Sequence, residues 1–326
     1  MRRIRQGQCA PGISHLLTLG KRQPADLVAS DLGFAVGPRL NAAGRLTDMT
    51  LGIECLLCDD SIQAHTMAVE LDRLNRERRD IEGRMKEEAL ASLPDWGDSA
   101  NLNWGLCLYD KRWHQGVVGI LASRIKERYY RPVIVFARGD DGLLKGSARS
   151  IEGLHVRDVL ESIATLHPGL IPKFGGHAMA AGLSLAEKDF KRFSEAFDAQ
   201  VRRCLTADQL QGLLESDGEL AESEMDLGLA EQLRRAGPWG QHFPEPLFDG
   251  EFIVVQQRIV GQQHLKLVVQ PMRSRQTLDA ILFFASEELL EATLDRVHLA
   301  YRLDVNEFRG KRNLQLQVRH LEPLRR

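Results

Sequence analysis

The sequence predicts an α/β domain followed by an all-β barrel, with a long helix ahead of both. Residues 61–91 repeat apolar side chains at spacings of three, four or seven, which places them on one face of a helix. Residues 104–205 alternate strand-like and helix-like segments, as α/β domains do. Beyond Pro244 apolar side chains recur at every second residue, which is typical of half-buried strands.

The composition is that of a multidomain protein of a reducing compartment. A chain of 326 residues with 43% hydrophobic content can bury two or three cores. No apolar run approaches the roughly 20 residues of a membrane-spanning helix, and the five cysteines are scattered. We therefore expect a cytoplasmic protein. Cys55 and Cys58 have the spacing of zinc ligands, but no second pair completes a site, so a packed helix with two free thiols is favoured.

The net charge of −2 conceals a gradient along the chain. Residues 92–205 contain 16 basic and 13 acidic side chains, whereas residues 206–235 contain 2 basic and 8 acidic ones. Nucleic-acid affinity depends on neutralising phosphates, so any DNA path should follow basic positions outside the acidic segment. The overall charge alone does not indicate a DNA-binding protein.

The first part of the chain is predicted to be helical. Breakers at Pro11-Gly12 and Gly37-Pro38 divide residues 1–60 into short helices and turns. Residues 61–91 form one amphipathic helix of roughly 45 Å. Its mixed-sign outer face indicates a solvated helix that bridges two domains. A dimeric coiled coil is the alternative, although Arg78 interrupts the apolar stripe.

The remaining elements follow from the two periodicities. In the α/β segment we predict strands at 104–109, 132–137 and 143–150 and helices at 116–130, 155–166 and 187–205. In the last segment we predict strands at 252–257, 264–270, 278–284, 297–305 and 314–320. Five short strands suit an OB-fold barrel. Acidic residues 206–243 are expected to connect the two domains.

One run, Lys173–Gly182 (KFGGHAMAAG), places a glycine pair and a histidine among small residues. Gly175 and Gly176 have no Cβ and can take positive φ, so their N–H groups can face a phosphate. His177 can donate to an anionic oxygen. From the glycines alone, a structural turn before a buried strand is the favoured interpretation.

The whole run resembles the GGHxxAAG signature of the DHHA1 domain of DHH phosphoesterases. Three further segments narrow the resemblance to the RecJ family of single-stranded-DNA exonucleases: Gly37–Leu46 (GPRLNAAGRL), Trp113–Ile120 (WHQGVVGI) and Gly146–Ser150 (GSARS). The resemblance implies a DHHA1-type α/β domain plus an OB-fold barrel, preceded by the tail of a DHH domain and a long connecting helix. The implied boundaries are 1–60 for the DHH tail, 61–91 for the helix, 92–205 for the DHHA1 domain, 206–243 for the connector and 244–326 for the OB-fold.

The family holds Mn²⁺ or Mg²⁺ in its DHH domain, through aspartate clusters and an Asp-His-His triplet. This chain contains no Asp-His-His, and no Asp-x-Asp cluster precedes its first recognisable segment. The resemblance therefore implies that Mn²⁺ or Mg²⁺ serves the complete enzyme and that no metal site lies in this chain. The chain is expected to be a C-terminal portion, with single-stranded DNA, the missing DHH domain and other DNA-repair proteins as partners.

Ser147 and Arg149 lie two apart on a predicted strand, so both side chains point to one face. A hydroxyl beside a guanidinium fork suits a phosphate, and the resemblance assigns this pair to the 5′-terminal phosphate or the first linkages of the substrate. The alternative is a surface arginine with a cross-strand partner.

Other candidate residues surround this pair in the predicted fold. Arg39, Asn41 and Arg45 could clamp a nucleic-acid backbone or brace the metal-binding domain. The alternative is a buried interdomain ion pair. His114 precedes a helix start that favours an anion, or it makes only a capping contact. The resemblance makes His177 the catalytic candidate, facing the metal centre and stabilising the transition state without binding metal.

The barrel is predicted to bind the strand through a basic groove and a stacked aromatic ring. The candidates are Lys266, Phe308, Arg309, Lys311 and Arg312, with Phe308 as the stacking side chain. The alternative is a barrel that mainly packs on its neighbours.

The expected function is that of the C-terminal part of a 5′-to-3′ single-stranded-DNA exonuclease of DNA repair and recombination, a hydrolase that uses two metal ions. This part would supply 5′-phosphate recognition and strand binding. A non-catalytic single-strand-binding or scaffold protein is one alternative. A small DHH oligonucleotide phosphodiesterase is another, disfavoured because such proteins lack the long helix and the barrel.

Overall fold

The computed structural model describes residues 1–93, 102–240, 242–261, 263–308 and 311–324. Contact clustering divides the chain into two compact units. The α/β unit comprises residues 2–25 and 33–212, and the barrel unit comprises Met1, residues 26–32 and residues 213–326. Within the described ranges, no helix has both the length and the apolar character needed to cross a bilayer.

The described residues ahead of the sheet contain six α-helices: α1 (Arg2–Arg5), α2 (Pro11–Leu19), α3 (Ala29–Asp31), α4 (Gly37–Leu46), α5 (Thr50–Leu57) and α6 (Ser61–Ala91). Helix α6 begins where the Asp60 carboxylate accepts hydrogen bonds from the N–H groups of Ile62 and Gln63. It packs against α2, α4 and α5 and also against the first helix of the α/β sheet. The predicted long helix therefore joins the helical segment to the sheet.

The α/β sheet has five strands in the order β1-β2-β3-β5-β4. The strands are β1 (Leu106–Tyr109), β2 (Val133–Arg138), β3 (Leu144–Arg149), β4 (Lys173–Gly176) and β5 (Ala180–Leu185). Strand β1 is parallel to β2, and the other pairs are antiparallel. Three helices accompany them: α7 (Val118–Tyr129), α8 (Val156–Leu166) and α9 (Phe190–Cys204). The segment-by-segment prediction did not include β4 and β5, because glycine and alanine obscure their alternation.

Helices cover the two faces of this sheet unequally. On one face, alternate β2 residues Val133 and Val135 pack with α7. On the other face, Ile134 and Phe136 belong to the core that contains α8 and α9. Helix α7 contacts β2 and β3, whereas Gly182 of β5 and Gly175 of β4 are exposed. The α7 face of the sheet is therefore open beyond β3.

The barrel unit is a closed barrel in the order β10-β8-β7-β6-β9. Its strands are β6 (Phe248–Val260), β7 (His264–Pro271), β8 (Leu278–Leu282), β9 (Arg296–Phe308) and β10 (Lys311–Pro323), accompanied by α10 (Leu227–Ala236) and α11 (Glu287–Glu291). All five strands expected from the period-two pattern are present.

The acidic segment predicted to be a connector contributes to the barrel core. Met225 and Ala230 are almost fully buried within it. The Asp226 carboxylate caps α10 by accepting from the Leu229 N–H at 2.7 Å. The segment expected to be an acidic connector thus also contributes a few apolar side chains to the barrel core.

A polar network fixes Ser216 of this segment to the barrel. The Ser216 hydroxyl donates to Asp249 Oδ1, and the other oxygen of Asp249 is 2.9 Å from His298 Nε2. These contacts lower the pKa of Asp249, the Ser216 hydroxyl contributing most and His298 next. The ionised carboxylate is therefore the form that holds the segment.

Asp249→Asn is expected to lower the free energy of unfolding by about 1–2 kcal/mol at neutral pH, because charge-assisted hydrogen bonds become neutral ones. Folding lowers the pKa of Asp249, so its ionised carboxylate stabilises the folded state fully above the unfolded-state pKa of about 3.9. This stabilisation is lost as the pH falls through the folded-state pKa of Asp249. Urea unfolding should thus show a difference from wild type that shrinks below about pH 4. Glu251→Gln, which removes an exposed ion pair with Arg296, is the control and should cost about 0–1 kcal/mol. A loss that is the same at pH 3 and pH 7 would contradict the assignment.

Candidate phosphate-binding site

A cavity of about 490 Å³ lies within the α/β unit, where α4, the turn before α7 and strand β3 meet. Its lining residues are Gly44, Arg45, Leu46, Thr47, His114, Gln115, Gly116, Val118, Lys145, Gly146 and Ser147. Three of the predicted site residues, Arg45, His114 and Ser147, are therefore brought together from distant parts of the sequence.

Strand β3 and the first turn of α7 form one wall. Arg149 donates from Nη1 to Ser147 Oγ at 3.0 Å and to the Ala148 carbonyl at 2.8 Å. A Cβ on Gly119 would lie 3.0 Å from both Arg149 Nη2 and Ser147 Oγ. The hydroxyl and the guanidinium thus face the N-terminal turn of α7. The free N–H groups and the positive end of the helix dipole favour an anion at such a place.

Helix α4 and the turn before α7 form the second wall. A Cβ on Gly116 would lie 2.0 Å from the Arg45 carbonyl oxygen, so only glycine permits this approach. Arg45 Nη1 in turn donates to the Gly116 carbonyl at 3.1 Å. The Gly116 N–H donates to His114 Nδ1 at 3.1 Å. This bond lies in the turn before the helix, which has no side-chain cap at Val117. It makes His114 Nε2 the protonated nitrogen of the neutral ring.

The site brings two arginines, Arg45 and Arg149, close to each other. Burial is the main cause that lowers the pKa of Arg149, and the nearby charge of Arg45 is the second cause. In the described part of the chain, neither guanidinium forms an ion pair with Asp or Glu; both donate to neutral oxygens. A bound anion would relieve this repulsion, so the arrangement suits a phosphate.

On the β5 side of Ser147, the next two positions of the same row are glycines. Ser147 of β3 pairs with Gly182 of β5, which pairs with Gly175 of β4. A Cβ on Gly175 would have no atom within 4 Å, and one on Gly182 would approach only the Gly146 carbonyl oxygen, at 3.9 Å. Directly paired residues lie on the same face. The glycines therefore form a flat, open floor beside the hydroxyl.

The hairpin of β4 and β5 changes the prediction for the glycine N–H groups. His177 N donates to the Ala180 carbonyl at 2.8 Å. Since hydrogen-bonded and non-hydrogen-bonded pairs alternate in an antiparallel ladder, the Gly175 N–H points to β5 and the Gly176 N–H points off the sheet edge. Of the two N–H groups predicted to face a phosphate, only that of Gly176 is directed away from the ladder. His177 is exposed at the end of this hairpin.

Arg39 occupies a different environment from Arg45, although both belong to α4. Its guanidinium is almost fully buried and pairs with Asp72 of α6 at 2.8 Å. It also donates to the carbonyls of Ala35 at 2.6 Å and Leu19 at 3.2 Å. This buried ion pair lies within the α/β unit and braces α4 against α6. Asn41 is exposed on the same helix.

Two of the predicted strand-binding residues of the barrel form ion pairs, and another is exposed. Lys266 pairs with Asp279 at 3.0 Å, and Arg312 pairs with Glu231 of α10 at 3.1 Å. Both cations thus have carboxylate partners within the barrel unit. Lys311 is exposed. Arg309 and the side chain of Phe308 lie outside the described residues.

Sequence reasoning overlooked Lys145, Gly119 and Gly182 as parts of the site. Period-two alternation along β3 places Lys145 on the same face as Ser147 and could have identified it. No local pattern distinguishes Gly119, because its role depends on contact with another element. Gly182 lay within the recognised glycine run, but its pairing with Ser147 could not be read from spacing.

The described residues do not fit a metal ion. Across those ranges no three His, Cys, Asp or Glu side chains lie together in a way that could hold one.

Two family models match the chain: the DHHA1 domain over residues 104–203 and the RecJ OB domain over residues 216–320. These matches confirm the predicted DHHA1 and OB-fold domains. The second one begins within the acidic segment that packs on the barrel.

The chain is also similar to complete exonucleases. It is 58% identical over 324 residues to the single-stranded-DNA-specific exonuclease RecJ of Dickeya dadantii and 54% identical over 326 residues to that of Escherichia coli. Each alignment covers 99% of this chain and 56% of the relative. The crystal structure of RecJ in complex with Mn²⁺ from Thermus thermophilus matches with a TM-score of 0.80 at 26% identity, over 99% of this chain and 45% of that one. The chain thus spans about 56% of the length of these curated relatives.

Gly176→Ala is expected to destabilise the α/β unit by about 1–3 kcal/mol. Gly176 has a φ of +152°, and its Cβ would lie 2.4 Å from Ala181 Cα. Gly175→Ala, one residue earlier, is the matched control and should stay within about 0.5 kcal/mol of wild type, because its Cβ meets open space. Urea or thermal unfolding measures the free energy of unfolding of each variant relative to wild type. Equal stability would show that the hairpin does not adopt this geometry.

Proposed function

The chain belongs to the RecJ family of single-stranded-DNA-specific exonucleases, and from this membership we propose that its α/β unit binds the 5′-phosphorylated end of a single strand. Arg45, Ser147 and Arg149 would hold the terminal phosphate. The main support for the proposal is the pair Arg45 and Arg149, which lies beside the Ser147 hydroxyl and the first turn of α7. Among the described residues, no carboxylate forms an ion pair with either arginine.

A terminal phosphate suits this site better than an internal linkage. A terminal phosphate carries up to two negative charges, whereas a phosphodiester carries one. Two guanidinium groups and a helix N-terminus stabilise the second negative charge of the terminal phosphate. His114 Nε2 adds a donor from the opposite wall of the cavity. The glycine floor at Gly182 and Gly175 leaves space for the nucleoside that follows.

His177 is proposed to act on the reacting linkage. It is exposed at the tip of the hairpin whose strands form the glycine floor. In this role its ring would donate a hydrogen bond to a phosphoryl oxygen and stabilise the charge that develops in the transition state. The Mn²⁺ or Mg²⁺ expected for the complete enzyme would be held outside the described residues, and no step is assigned to it.

The activity of the complete protein, 5′-to-3′ degradation of single-stranded DNA in repair and recombination, is proposed from the relatives that share this chain's sequence. Within the barrel, Lys311 with Arg309 and Phe308 remain the proposed strand contacts. We do not expect Arg39, Lys266 and Arg312 to contact the strand, because each forms an ion pair with a carboxylate of this chain.

The terminal phosphate should be recognised by the guanidinium of Arg149. The chain is expected to bind a 5′-phosphorylated single strand roughly ten- to a hundredfold more tightly than its 5′-hydroxyl twin, since charge-assisted hydrogen bonds contribute on the order of 1.5–3 kcal/mol. Arg149→Ala should remove most of this preference. Arg149→Lys should restore little, because an ammonium group cannot form the bidentate fork.

Fluorescence anisotropy with both strands, at two salt concentrations, tests this prediction. Affinity should fall as salt rises, because phosphate contacts release counterions. Arg312→Ala, a barrel arginine engaged with Glu231, is the matched control and should keep the 5′-phosphate preference. Equal affinity of the wild-type chain for the two strands would refute the proposal.

The glycine floor should be necessary for binding the end of the strand. Gly182→Ala and Gly182→Leu are expected to fold, because a Cβ there finds open space. Binding of the 5′-phosphorylated strand should weaken progressively with side-chain size, by more than about tenfold for Leu, which corresponds to about 1.4 kcal/mol. Unchanged melting temperatures and graded dissociation constants would support the role. Unchanged affinity in Gly182→Leu would exclude the floor from the binding path.

A further inference from the structure

The cavity of the candidate site is larger than one terminal phosphate needs. Its volume of about 490 Å³ lies within the range of roughly 300–1,000 Å³ that encloses whole small ligands. The cavity extends from Ser147 to Lys145, which lies two residues earlier on β3 and has no role in the site as proposed. The terminal phosphate therefore leaves both space and a cation unused.

The two ends of β3 differ in what lies beside them. Lys145, Ser147 and Arg149 alternate along the strand, so their side chains point to the same face of the sheet. Arg149 pairs with Ala180, whose carbonyl accepts a hydrogen bond from the His177 N–H at 2.8 Å. The reacting linkage proposed at His177 therefore lies at the Arg149 end of β3. Lys145 lies at the other end, roughly 13 Å away along the strand.

This arrangement determines the direction in which a bound strand extends. From a terminal phosphate at Ser147 and Arg149, the nucleoside and the reacting linkage lead towards His177. The part of the cavity at Lys145 then lies beyond the 5′ end of the strand. A bound strand reaches this part only through groups attached to the terminal phosphate itself, and a cationic site there suits a further phosphate.

The turn before β3 holds the lysine in place. Lys145 Nζ is 2.5 Å from Asp141 Oδ2 and 3.3 Å from Ser184 Oγ. A Cβ on Gly139 would lie 2.9 Å from both Cγ and Cε of Lys145, so the stem of the lysine packs against this turn. Much of the entropy cost of ordering a long side chain is thus already met before a ligand binds.

A phosphate can replace the present partner of Lys145 at low cost. The Asp141 side chain is 51% exposed and that of Lys145 is 35% exposed, and ion pairs at this level of exposure are weak because water screens them. The buried pair of Arg39 and Asp72 belongs to a class whose disruption costs far more. Lys145, unlike Arg39, can therefore transfer its ammonium group to a ligand.

The rest of the cavity wall also tolerates added negative charge. Arg45 and His114 line it, and the neutral His114 ring presents its protonated Nε2 as a donor. Among the described residues, no Asp or Glu lines the cavity. An ammonium group on a flexible stem is a point charge that binds a phosphate oxygen without a fixed geometry. The wall therefore suits a ligand that is more negatively charged than a single phosphate.

We propose that this cavity binds a 5′ end that carries two or more phosphates. The phosphate attached to the nucleoside is held by Ser147 and Arg149, and the next phosphate is held by Lys145. Adjacent phosphates share one oxygen atom, so the second one lies within reach of a lysine two residues from Ser147. The ligands are nucleoside 5′-diphosphates and triphosphates and single strands with such an end. This inference rests on the proposed function, because it starts from the position of the terminal phosphate.

The experiment titrates the full chain with thymidine 5′-monophosphate and thymidine 5′-diphosphate by calorimetry, without divalent cations. The diphosphate should bind about tenfold more tightly, the scale of one charge-assisted hydrogen bond. Lys145→Met should remove this advantage and should leave monophosphate binding within about twofold, because an exposed charge that does not contact the ligand is screened. Lys145→Arg should keep the advantage, since it retains the charge. Asp141→Asn, which removes the competing carboxylate, should preserve or increase it.

A matched control separates a local contact from a change in net charge. Lys266→Met removes a lysine that is paired with Asp279 in the barrel unit, and it should keep the preference for the diphosphate. In phosphorus NMR, the resonance of the outer phosphate should shift on binding to wild type and should shift less with Lys145→Met. Melting temperatures establish that each variant is folded, and Lys145→Gln replaces Lys145→Met if the latter does not fold.

Strands identify the source of the polyphosphate. An oligothymidylate with a 5′-triphosphate is compared with the same strand bearing a 5′-monophosphate. If the triphosphorylated strand binds more tightly and loses this advantage in Lys145→Met, the inference is supported for strand ends. If only the free diphosphate shows this behaviour, the inference is supported for free nucleotides.

The outcomes separate this inference from the function on which it rests. If Arg149→Ala weakens both nucleotides and Lys145→Met weakens only the diphosphate, both are supported. If Arg149→Ala weakens both, but wild type binds the two equally or Lys145→Met weakens neither or both equally, the polyphosphate role is refuted and the terminal site stands. If neither nucleotide binds, or Arg149→Ala changes neither, the terminal site itself is wrong and the inference fails with it.

Discussion

The contact of Gly116 with the Arg45 carbonyl is the constraint on which the candidate site depends. Because position 116 has no Cβ, the end of α4 can reach the turn that precedes α7. That approach places the Arg45 guanidinium near Arg149, which is fixed on β3 by its bonds to Ser147 and Ala148. Two cations are thereby held together although their mutual repulsion opposes it. The fold tolerates this unfavourable arrangement because each guanidinium donates to neutral oxygens, and the remaining charge is available to an anion.

Burial determines which cations of this protein serve the fold and which can serve a ligand. Arg39 is enclosed and bonded to Asp72 and two carbonyls, so withdrawing it would leave buried charge and unsatisfied acceptors. Arg45 lies only six residues later in the same helix, yet it lines a cavity. Lys145 lies between these extremes, since its partner Asp141 is solvated and can be replaced. Sequence position alone does not distinguish these three environments, because each depends on what the neighbouring element places opposite the side chain.

Much of the fold could be predicted because it depends on local periodicity. The stripe along residues 61–91 predicted α6, and period-two alternation predicted all five barrel strands. Two features were missed for identifiable reasons. The hairpin of β4 and β5 contains glycine and alanine at positions where apolar alternation would reveal a strand, and it is stabilised by its pairing with β3. The acidic segment was interpreted as a connector because charge dominates its composition, but Met225 and Ala230 are buried in the barrel core.

The sequence by itself determined the domain types and the family, and it identified the glycine run, Ser147 and Arg149 as candidates because they belong to contiguous signatures. Only the tertiary structure decided which arginine is structural, which glycine N–H points off the sheet edge, and that Gly182 and Gly175 continue the row of Ser147. The physical reason is that local periodicity specifies the direction of a side chain relative to its own element. Desolvation, charge pairing and free space depend on atoms that are distant in the chain and become neighbours only when the elements pack.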